Sequence, residues 1–377
     1  MSTIKVTNIN PPTAGQAVNL NGLAYPTAGP LSNRNLIING AMQVAQRGTS
    51  TTGVGTEIAY NTVDRWRFAD ASDPSARYTE TQSTDAPEGF SNSRKFEVTT
   101  ADTNVEADED QYTDHFIEAQ NLQHLAYGTS NAKKITLSFW VKSSVAQTFG
   151  CGLIHQDGGG NYGVSYTVNS ADTWEYKTLT FNGNTSTAIN NDNGRGLQIK
   201  FGLAAGSDQI AGSDATAWGG TETYGQHSNT WVGTVGNTWQ ITGVQLEVGS
   251  VATPFGHRSY GDELARCQRY YQRIQSTSTS DPVGIGYCEG STEAKCMTDF
   301  KVTMRTSPTA LETSGTAGDY EIRNKANYTC NVVPVINKAT ADCMTIQFNV
   351  SSGLTDGDAC QMRFVDTDGF LAWSAEL

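Results

Sequence analysis

Short runs of alternating apolar and polar residues recur along most of this chain. The clearest run covers residues 134–142, which read KITLSFWVK, with Trp140 on the mainly polar phase. Alternation with period two is typical of a strand that buries one face. Other strand-like runs, separated by turn-rich segments, occupy residues 63–68, 94–99, 174–181, 197–203 and 241–248. We therefore predict a mostly β protein in which residues 35–258 form a sandwich of short antiparallel strands, with a jelly roll as the best fit.

The last of these runs changes phase in its middle. Val244, Leu246 and Val248 alternate with Gln245 and Glu247, which predicts a strand with one buried face. The preceding apolar residues, Trp239 and Ile241, lie on the opposite phase. A β-bulge at Gly243 would reconcile the two phases, because one extra residue switches the face of a strand.

A helix is predicted directly after this strand, over residues 259–276. Ser259 and Asp262 resemble a capping box, so the helix should begin near Tyr260. Its apolar stripe has the spacing of a coiled-coil seam over fewer than two heptads. The stripe, which could pack on the chain's own sandwich or on other copies, consists of Leu264, Cys267, Tyr271 and Ile274.

The two ends of the chain differ from the central sandwich. Residues 277–377 contain further alternating runs and are predicted to form a second, smaller β domain. Residues 1–34 offer little that could build a core, and we expect an extended segment there. Its one strand-like patch, Ile4, Val6 and Ile9, could add a strand to a neighbouring protein's sheet, while a floppy tail is the alternative.

The run ITGVQLEVGSVATPFGHRSYGDELARCQRYY, residues 241–271, closely resembles a signature of fibre proteins of tailed bacteriophages, especially marine and cyanobacterial ones. Residues 35–50 also resemble the start of the sandwich domain in those fibres. The resemblance implies a jelly roll similar to carbohydrate-binding modules, a virion-docking N-terminus and a homotrimer. Gly256 departs from the signature, which commonly has an acidic residue there, so a salt bridge from this position to His257 or Arg258 is absent.

Composition narrows the choice of partners. The net charge of −13 and the pI near 4.8 disfavour nucleic acid and anionic membranes, since phosphate binding needs clustered Lys and Arg. No apolar run is long enough to span a bilayer, and residues 1–18 lack the features of a secretion signal. The seven cysteines are scattered without a CxxC pair, which favours free, buried thiols over a zinc site or a disulfide framework.

Candidate binding chemistry is sparse. The glycine- and serine-rich insertion 204–238 carries three aromatic residues suited to stacking on sugars, namely Trp218, Tyr224 and Trp231. The alternative is that these rings pin the insertion to the sheet or to a neighbouring subunit. A second exposed-loop candidate covers residues 155–166, with a Gly-Gly-Gly tip.

The sequence patterns that could indicate a metal site or a catalytic site are weaker than those for sugar binding. Asp102, Asn104, Glu106 and Asp108 alternate as in a calcium-binding loop, but Ala107 and Thr113 break the EF-hand pattern. A structural calcium stays open, and no other cofactor is expected. No catalytic motif is present, so we expect a protein that is not an enzyme.

The functional expectation rests mainly on the resemblance. We expect a structural virion protein, assembled in the host cytoplasm and exposed on the virion surface. The leading hypothesis is a tail fibre that attaches the phage to a host-surface glycan or protein. The alternative is a capsid-bound head fibre or decoration protein with a structural role, and the partner of the N-terminus would discriminate between them.

Overall fold

The computed structural model describes residues 18–20, 23–25, 32–221 and 223–377. The chain divides into two compact units, Met1–Tyr260 and Gly261–Leu377. A small antiparallel pair precedes the first core and consists of β1 (Val18–Leu20) and β2 (Leu23–Tyr25). The predicted anchoring residues Ile4, Val6 and Ile9 lie outside the described residues.

Eleven further strands build the first unit. They are β3 (Ser50–Val54), β4 (Arg67–Ala71), β5 (Arg77–Ser83), β6 (Ser93–Thr100), β7 (Asp110–Glu118), β8 (Ile135–Ser143), β9 (Thr148–His155), β10 (Gly160–Thr167), β11 (Glu175–Phe181), β12 (Arg195–Ala205) and β13 (Thr238–Val248). Two 3-10 helices, Ala119–Leu125 and Ser207–Gln209, lie between them.

These strands form the two antiparallel sheets of a sandwich. The five-stranded sheet has the order β10-β9-β12-β7-β4, and the six-stranded sheet has the order β11-β8-β13-β6-β5-β3. The inward residues Leu137, Phe139, Phe201 and Trp239 are fully buried between the sheets. Burying each such side chain stabilises the fold by roughly 1.5–3 kcal/mol. The prediction of a mostly β jelly-roll sandwich is therefore confirmed.

The predicted bulge is present in β13. The register between β13 and β8 shifts between Thr242 and Gln245, and Gly243 has φ +63°. As a result Ile241 and Leu246 both face the core although they lie on different phases. On the other face of the strand, Gln245 and Glu247 are buried too. The loop after β13 covers them and supplies polar partners.

The helix is shorter than predicted. α1 spans Tyr260–Gln268, with Asp262 and Glu263 in its first turn, where the helix dipole favours negative charge. Strand β14 (Tyr271–Gln275) follows at once and pairs with the last strand of the chain. Tyr271 and Ile274 therefore do not continue the helical stripe of Leu264 and Cys267. Aromatic and β-branched residues favour strands. Here the pairing of β14 with the last strand determines the secondary structure, although the spacing of the apolar residues also fits a helix.

The second unit contains the remaining strands. They are β15 (Pro282–Cys288), β16 (Glu293–Asp299), β17 (Leu311–Thr313), β18 (Tyr320–Arg323), β19 (Asn327–Thr329), β20 (Val332–Ala339), β21 (Cys343–Asn349), β22 (Ala359–Phe364) and β23 (Phe370–Ser374), with a 3-10 helix at Ala317–Asp319. A seven-stranded sheet, β19-β18-β22-β15-β16-β21-β20, and a three-stranded sheet, β14-β23-β17, enclose a second core.

Two further observations concern the whole described chain. All seven cysteines are free thiols, and six of them are buried, as predicted. Within the described part of the chain, no helix has the length and apolar character needed to cross a bilayer.

Candidate functional site

The outer face of the six-stranded sheet carries an open groove with a cavity volume of about 590 Å³. Strands β8, β11 and β13 contribute to it, together with the β5–β6 loop and the loop that follows β13. Its lining is rich in rings and carries a few polar groups. The rings are Phe90, Trp140, Tyr176, Phe255 and His257, and the polar residues are Glu88, Ser138 and Thr253.

One wall of the groove is a pair of aromatic residues on neighbouring strands. Tyr176 of β11 pairs in register with Trp140 of β8, and their ring centroids are 5.3 Å apart with planes tilted by 51°. Alternation along β8 sends Phe139 into the core and Trp140 outward. Tyr176 is 44% exposed, so part of this wall faces solvent. Burial and the nearby Glu247 charge raise the pKa of the Tyr176 hydroxyl, which stays protonated as a hydrogen-bond donor.

The opposite wall is a cluster of three rings from two loops. Phe90 lies 5.0 Å from Phe255 and 5.2 Å from His257, measured between ring centroids, and Phe255 and His257 are 4.8 Å apart. Each loop thus holds the other through ring contacts. Two apolar surfaces of fixed position result, one on each side of the groove.

Gly243 forms the floor between the two walls. A Cβ atom at this position would lie 2.7 Å from Cζ of Phe90 and 3.1 Å from Cδ1 of Trp140. Its φ of +63° is also in the left-handed region that favours glycine. The bulge at Gly243 brings the apolar residues of both halves of β13 onto the core side. The same glycine also leaves room for both groove walls.

A buried polar network holds the loop that carries Phe255 and His257. The Glu247 carboxylate accepts hydrogen bonds from the backbone N–H of Thr253 at 2.8 Å and from its hydroxyl at 2.7 Å. The side-chain oxygen of Gln245 accepts the N–H of Gly256 at 2.8 Å. Because unsatisfied buried donors are costly, this network fixes the path of residues 249–257 over the sheet.

A charged cluster lies on the same sheet face, in the residue row next to Trp140. Asp85 accepts hydrogen bonds from Lys142 at 2.6 Å, from Gln240 at 3.1 Å and from the Trp174 indole at 3.2 Å. Burial alone would raise the pKa of Asp85, but these hydrogen bonds outweigh it and lower the pKa below its ordinary value. The Lys142 charge is therefore compensated within the protein. None of the described lining residues of the groove is Lys or Arg.

The aromatic residues predicted in the insertion lie elsewhere, against the five-stranded sheet and the core. Trp231 is fully buried, donates its indole N–H to the Leu203 carbonyl at 2.6 Å and stacks on Tyr78. Tyr224 is also fully buried and donates its hydroxyl to Asp110 at 2.9 Å. In these positions the two rings fasten the insertion to the sandwich, which is the alternative that the sequence left open.

Trp218, the third predicted ring, is only partly buried. Its indole N–H donates to the Asn182 carbonyl at 2.6 Å, and its ring packs edge-on against Tyr127 and Tyr162. It is separate from the groove. The 155–166 segment is mainly the hairpin of β9 and β10, and its His155 is buried.

The acidic loop uses its carboxylates for its own turns. Asp102 accepts the N–H groups of Asn104 at 3.0 Å and Ser75 at 3.3 Å, and Glu109 accepts the N–H of Glu106 at 3.1 Å. Among the residues that the structure describes, no group of three or more His, Cys, Asp or Glu side chains is arranged to hold a metal ion.

The sequence contained a signal for the groove that our prediction did not use. In the 134–142 run, Trp140 occupies the outward phase together with Thr136, Ser138 and Lys142. This outward tryptophan is the residue that forms part of the groove wall. Its neighbour Tyr176 could not be assigned from sequence, because the pairing of β11 with β8 sets their contact.

No family model matches this chain, and no curated protein matches it either. Solved structures with similarity include the enzymatically active domain of tailspike protein 4 from bacteriophage CBA120, at 12% identity over 57% of this chain and a TM-score of 0.31. This chain spans only 21% of that tailspike domain. A CBM4 structure aligns at 17% identity over 56% of this chain and 97% of its own length, with a TM-score of 0.30.

A third similar structure is the family 11 carbohydrate-binding module from Clostridium thermocellum, in complex with a β-1,3-1,4-mixed-linked tetrasaccharide. It shares 10% identity over 55% of this chain and 98% of its own length, with a TM-score of 0.26. None of these structures assigns a ligand to the present chain.

Proposed function

We propose that this chain is a fibre protein on the virion surface of a tailed bacteriophage and that its sandwich binds a host-surface glycan in the outer groove. The observation that carries glycan binding is the pair of aromatic walls on either side of Gly243. Sugars present C–H surfaces that pack on aromatic faces, while polar groups at the rim hold their hydroxyls. The fibre assignment is supported by the resemblance of residues 241–271 to the phage-fibre signature.

The chemistry of the groove favours an uncharged glycan. His257 and Glu88, both exposed, offer imidazole and carboxylate groups to sugar hydroxyls. A sulfated or carboxylated sugar would need a cation, and the nearby Lys142 is already paired with Asp85 at 2.6 Å. Neutral hexose chains therefore fit the groove better than acidic polysaccharides.

We propose binding without cleavage. Most glycoside hydrolases use two carboxyl groups on either side of the bond that is cut. Among the described lining residues, Glu88 is the only carboxylic acid. A fall in the viscosity of host polysaccharide on incubation with the protein would contradict this part of the proposal.

The test of the groove is adsorption of purified protein to host cells, together with a glycan array. Trp140→Ala removes one wall, and we expect its affinity to fall on the order of tenfold or more, since about 1.4 kcal/mol corresponds to a factor of ten. Ile58→Ala is the matched control, because Ile58 is 61% exposed and does not line the groove. Unchanged binding by the Trp140 variant would refute the proposed site.

The position on the virion is a separate proposal. We favour a tail fibre over a capsid-bound head fibre or decoration protein, and the anchoring segment 1–34 would determine which one applies. Immunogold labelling of intact virions distinguishes them, because tail labelling supports the fibre and capsid labelling supports the alternative. We also propose that the protein is a homotrimer in the virion.

A further inference from the structure

The charged cluster on the outer face of the six-stranded sheet borders the groove. It consists of Asp85 on the β5–β6 loop, Lys142 on β8, Gln240 on β13 and Trp174, one residue before β11. Lys142 lies two residues after Trp140 of the groove wall, on the same side of β8. At about 3.3 Å per strand residue, the cluster begins about 7 Å from that wall. This distance is comparable to the size of one hexose ring.

Three side chains fix the position of the Asp85 carboxylate. Its Oδ2 atom accepts hydrogen bonds from Lys142 at 2.6 Å and from Gln240 at 3.1 Å, and its Oδ1 atom accepts the Trp174 indole N–H at 3.2 Å. The backbone is held as well, because the Asp85 carbonyl accepts the Ser93 hydroxyl at 2.6 Å. The carboxylate is therefore pre-organised, although the Asp85 side chain is 45% exposed.

The ion pair keeps hydrogen-bonding capacity on its exposed side. An ammonium group carries three N–H donors, and a carboxylate offers about four acceptor positions. Among the residues that the structure describes, the Lys142 ammonium donates only to Asp85, and the Asp85 carboxylate accepts three side-chain donors. Two N–H groups of Lys142 and one acceptor position of Asp85 thus remain for a ligand, next to each other.

Holding the β5–β6 loop does not require Lys142. Gln240, Trp174 and Ser93 already fasten Asp85 to the sheet. A partly exposed ion pair adds little to the stability of a fold. The lysine therefore places charged donors beside an aromatic groove wall without a clear gain in stability, which is the arrangement of a binding group.

A vicinal diol of a neutral sugar matches this pair. A sugar hydroxyl both donates and accepts, so one hydroxyl can donate to Asp85 while its neighbour accepts from Lys142. Hydrogen bonds to charged groups are stronger than those between neutral groups. Because the pair has no net charge, a charged substituent would meet a group of its own sign at close range. The pair therefore favours uncharged sugars, as does the lining of the groove.

We propose that Asp85 and Lys142 form a second sugar subsite, which binds a vicinal diol of the sugar next to the one in the groove. The glycan then runs along β8, from the aromatic walls to the charged cluster. This inference rests on the proposed glycan binding by the groove and specifies the ligand as a neutral chain of at least two hexoses. Asp85 and Glu88 lie on the same loop, so one segment contacts both sugars.

The test is isothermal titration calorimetry of the full chain with neutral mono-, di- and trisaccharides of glucose, galactose and mannose. We expect wild-type protein to bind its best disaccharide roughly tenfold more tightly than the corresponding monosaccharide, which is the effect of one charge-assisted hydrogen bond. Lys142→Gln should lose most of this gain, while Asp85 keeps its other two donors. Circular dichroism verifies that the variants are folded, and Lys142→Met gives the same test if the glutamine variant is not.

Lys177→Gln is the matched control. Lys177 also lies on a strand and pairs with a carboxylate, that of Glu175, at 2.6 Å. It follows Tyr176 directly, so it lies on the other face of β11. This variant should keep the full gain from the second sugar.

The outcomes separate the second subsite from the groove. An equal gain in Lys142→Gln and wild type would overturn the second subsite alone, because the groove would still bind sugar. Absence of binding to all these sugars, or unchanged affinity in Trp140→Ala, would overturn the groove and the subsite together. Singly deoxygenated disaccharides test the diol, since loss of either hydroxyl of the pair should lower the affinity of wild-type protein to that for the monosaccharide. Full affinity for every deoxygenated form would contradict recognition of a diol.

Discussion

Replacing Gly243 by alanine should damage both the stability of the sandwich and its groove. Two costs add at this position. A left-handed backbone costs a non-glycine residue roughly 1–2 kcal/mol. The new methyl group would also lie 2.7 Å from Cζ of Phe90, so the ring must move, and overpacking of this kind costs roughly 1–3 kcal/mol. We expect a total loss of roughly 2–5 kcal/mol, which lowers the melting temperature of a unit of this size by roughly 4–20 °C.

Gly236 provides the matched control for this experiment. It also has a positive φ, +87°, but a Cβ atom there meets nothing within 4 Å. Gly236→Ala should therefore show the backbone cost alone. Tryptophan fluorescence during urea unfolding is a suitable assay, because six of the seven tryptophans precede residue 261. Adding Phe90→Ala to Gly243→Ala should recover the steric part, and equal destabilisation by the two glycine variants would refute the reasoning.

Three further predictions concern other parts of the chain. Glu247→Ala leaves the Thr253 donors unpaired and should cost roughly 1–3 kcal/mol, with faster hydrogen exchange in residues 249–257; Glu97→Ala, an exposed control, should leave that loop unchanged. Burial lowers the pKa of His227 to about 4, and its Nδ1 accepts the Gly150 N–H at 3.0 Å. In this pH range the unfolded chain binds a proton at His227 that the folded chain does not bind. The free energy of unfolding should therefore fall as pH drops from about 6.5 to about 4. The urea midpoint should change less between pH 7 and pH 5 in His227→Phe than in the wild type. An equal change in the two proteins would contradict the role of His227. Burial raises the pKa of the Cys296 thiol to about 11 and that of Cys330 to about 12. In maleimide labelling of native protein, half-buried Cys343 should therefore react first, and labelling of the buried thiols at the same rate would argue against the structure there.

Local patterns in the sequence were sufficient to predict the class of fold. Period-two alternation identified the strand at 134–142 and the closing strand of the sandwich, and glycine at a phase change identified the bulge at Gly243. Each of these features is determined within a few residues. The start of the helix at Tyr260 was predictable for the same reason, since acidic residues in the first turn are a local signal.

Features that depend on pairing between distant residues were not predictable. Tyr271 has helical spacing from Cys267, but pairing with Ser374, about a hundred residues away in sequence, places it in a strand. Trp140 meets Tyr176 only because β11 pairs with β8. Composition alone also does not show whether an aromatic ring in a long insertion is exposed, and Trp231 is buried because Leu203 and Tyr78 accommodate its ring.

The buried network of Gln245, Glu247 and Thr253 has a consequence for engineering the groove. These residues hold the last strand of the sandwich together with the loop that forms one groove wall. A substitution there would therefore change the groove and lower the stability of the fold at the same time. Glu88 on the β5–β6 loop and Tyr176 on the edge strand β11 are exposed and can vary at little structural cost. A library confined to positions 88 and 176 is thus the economical way to alter the groove without disturbing the fold.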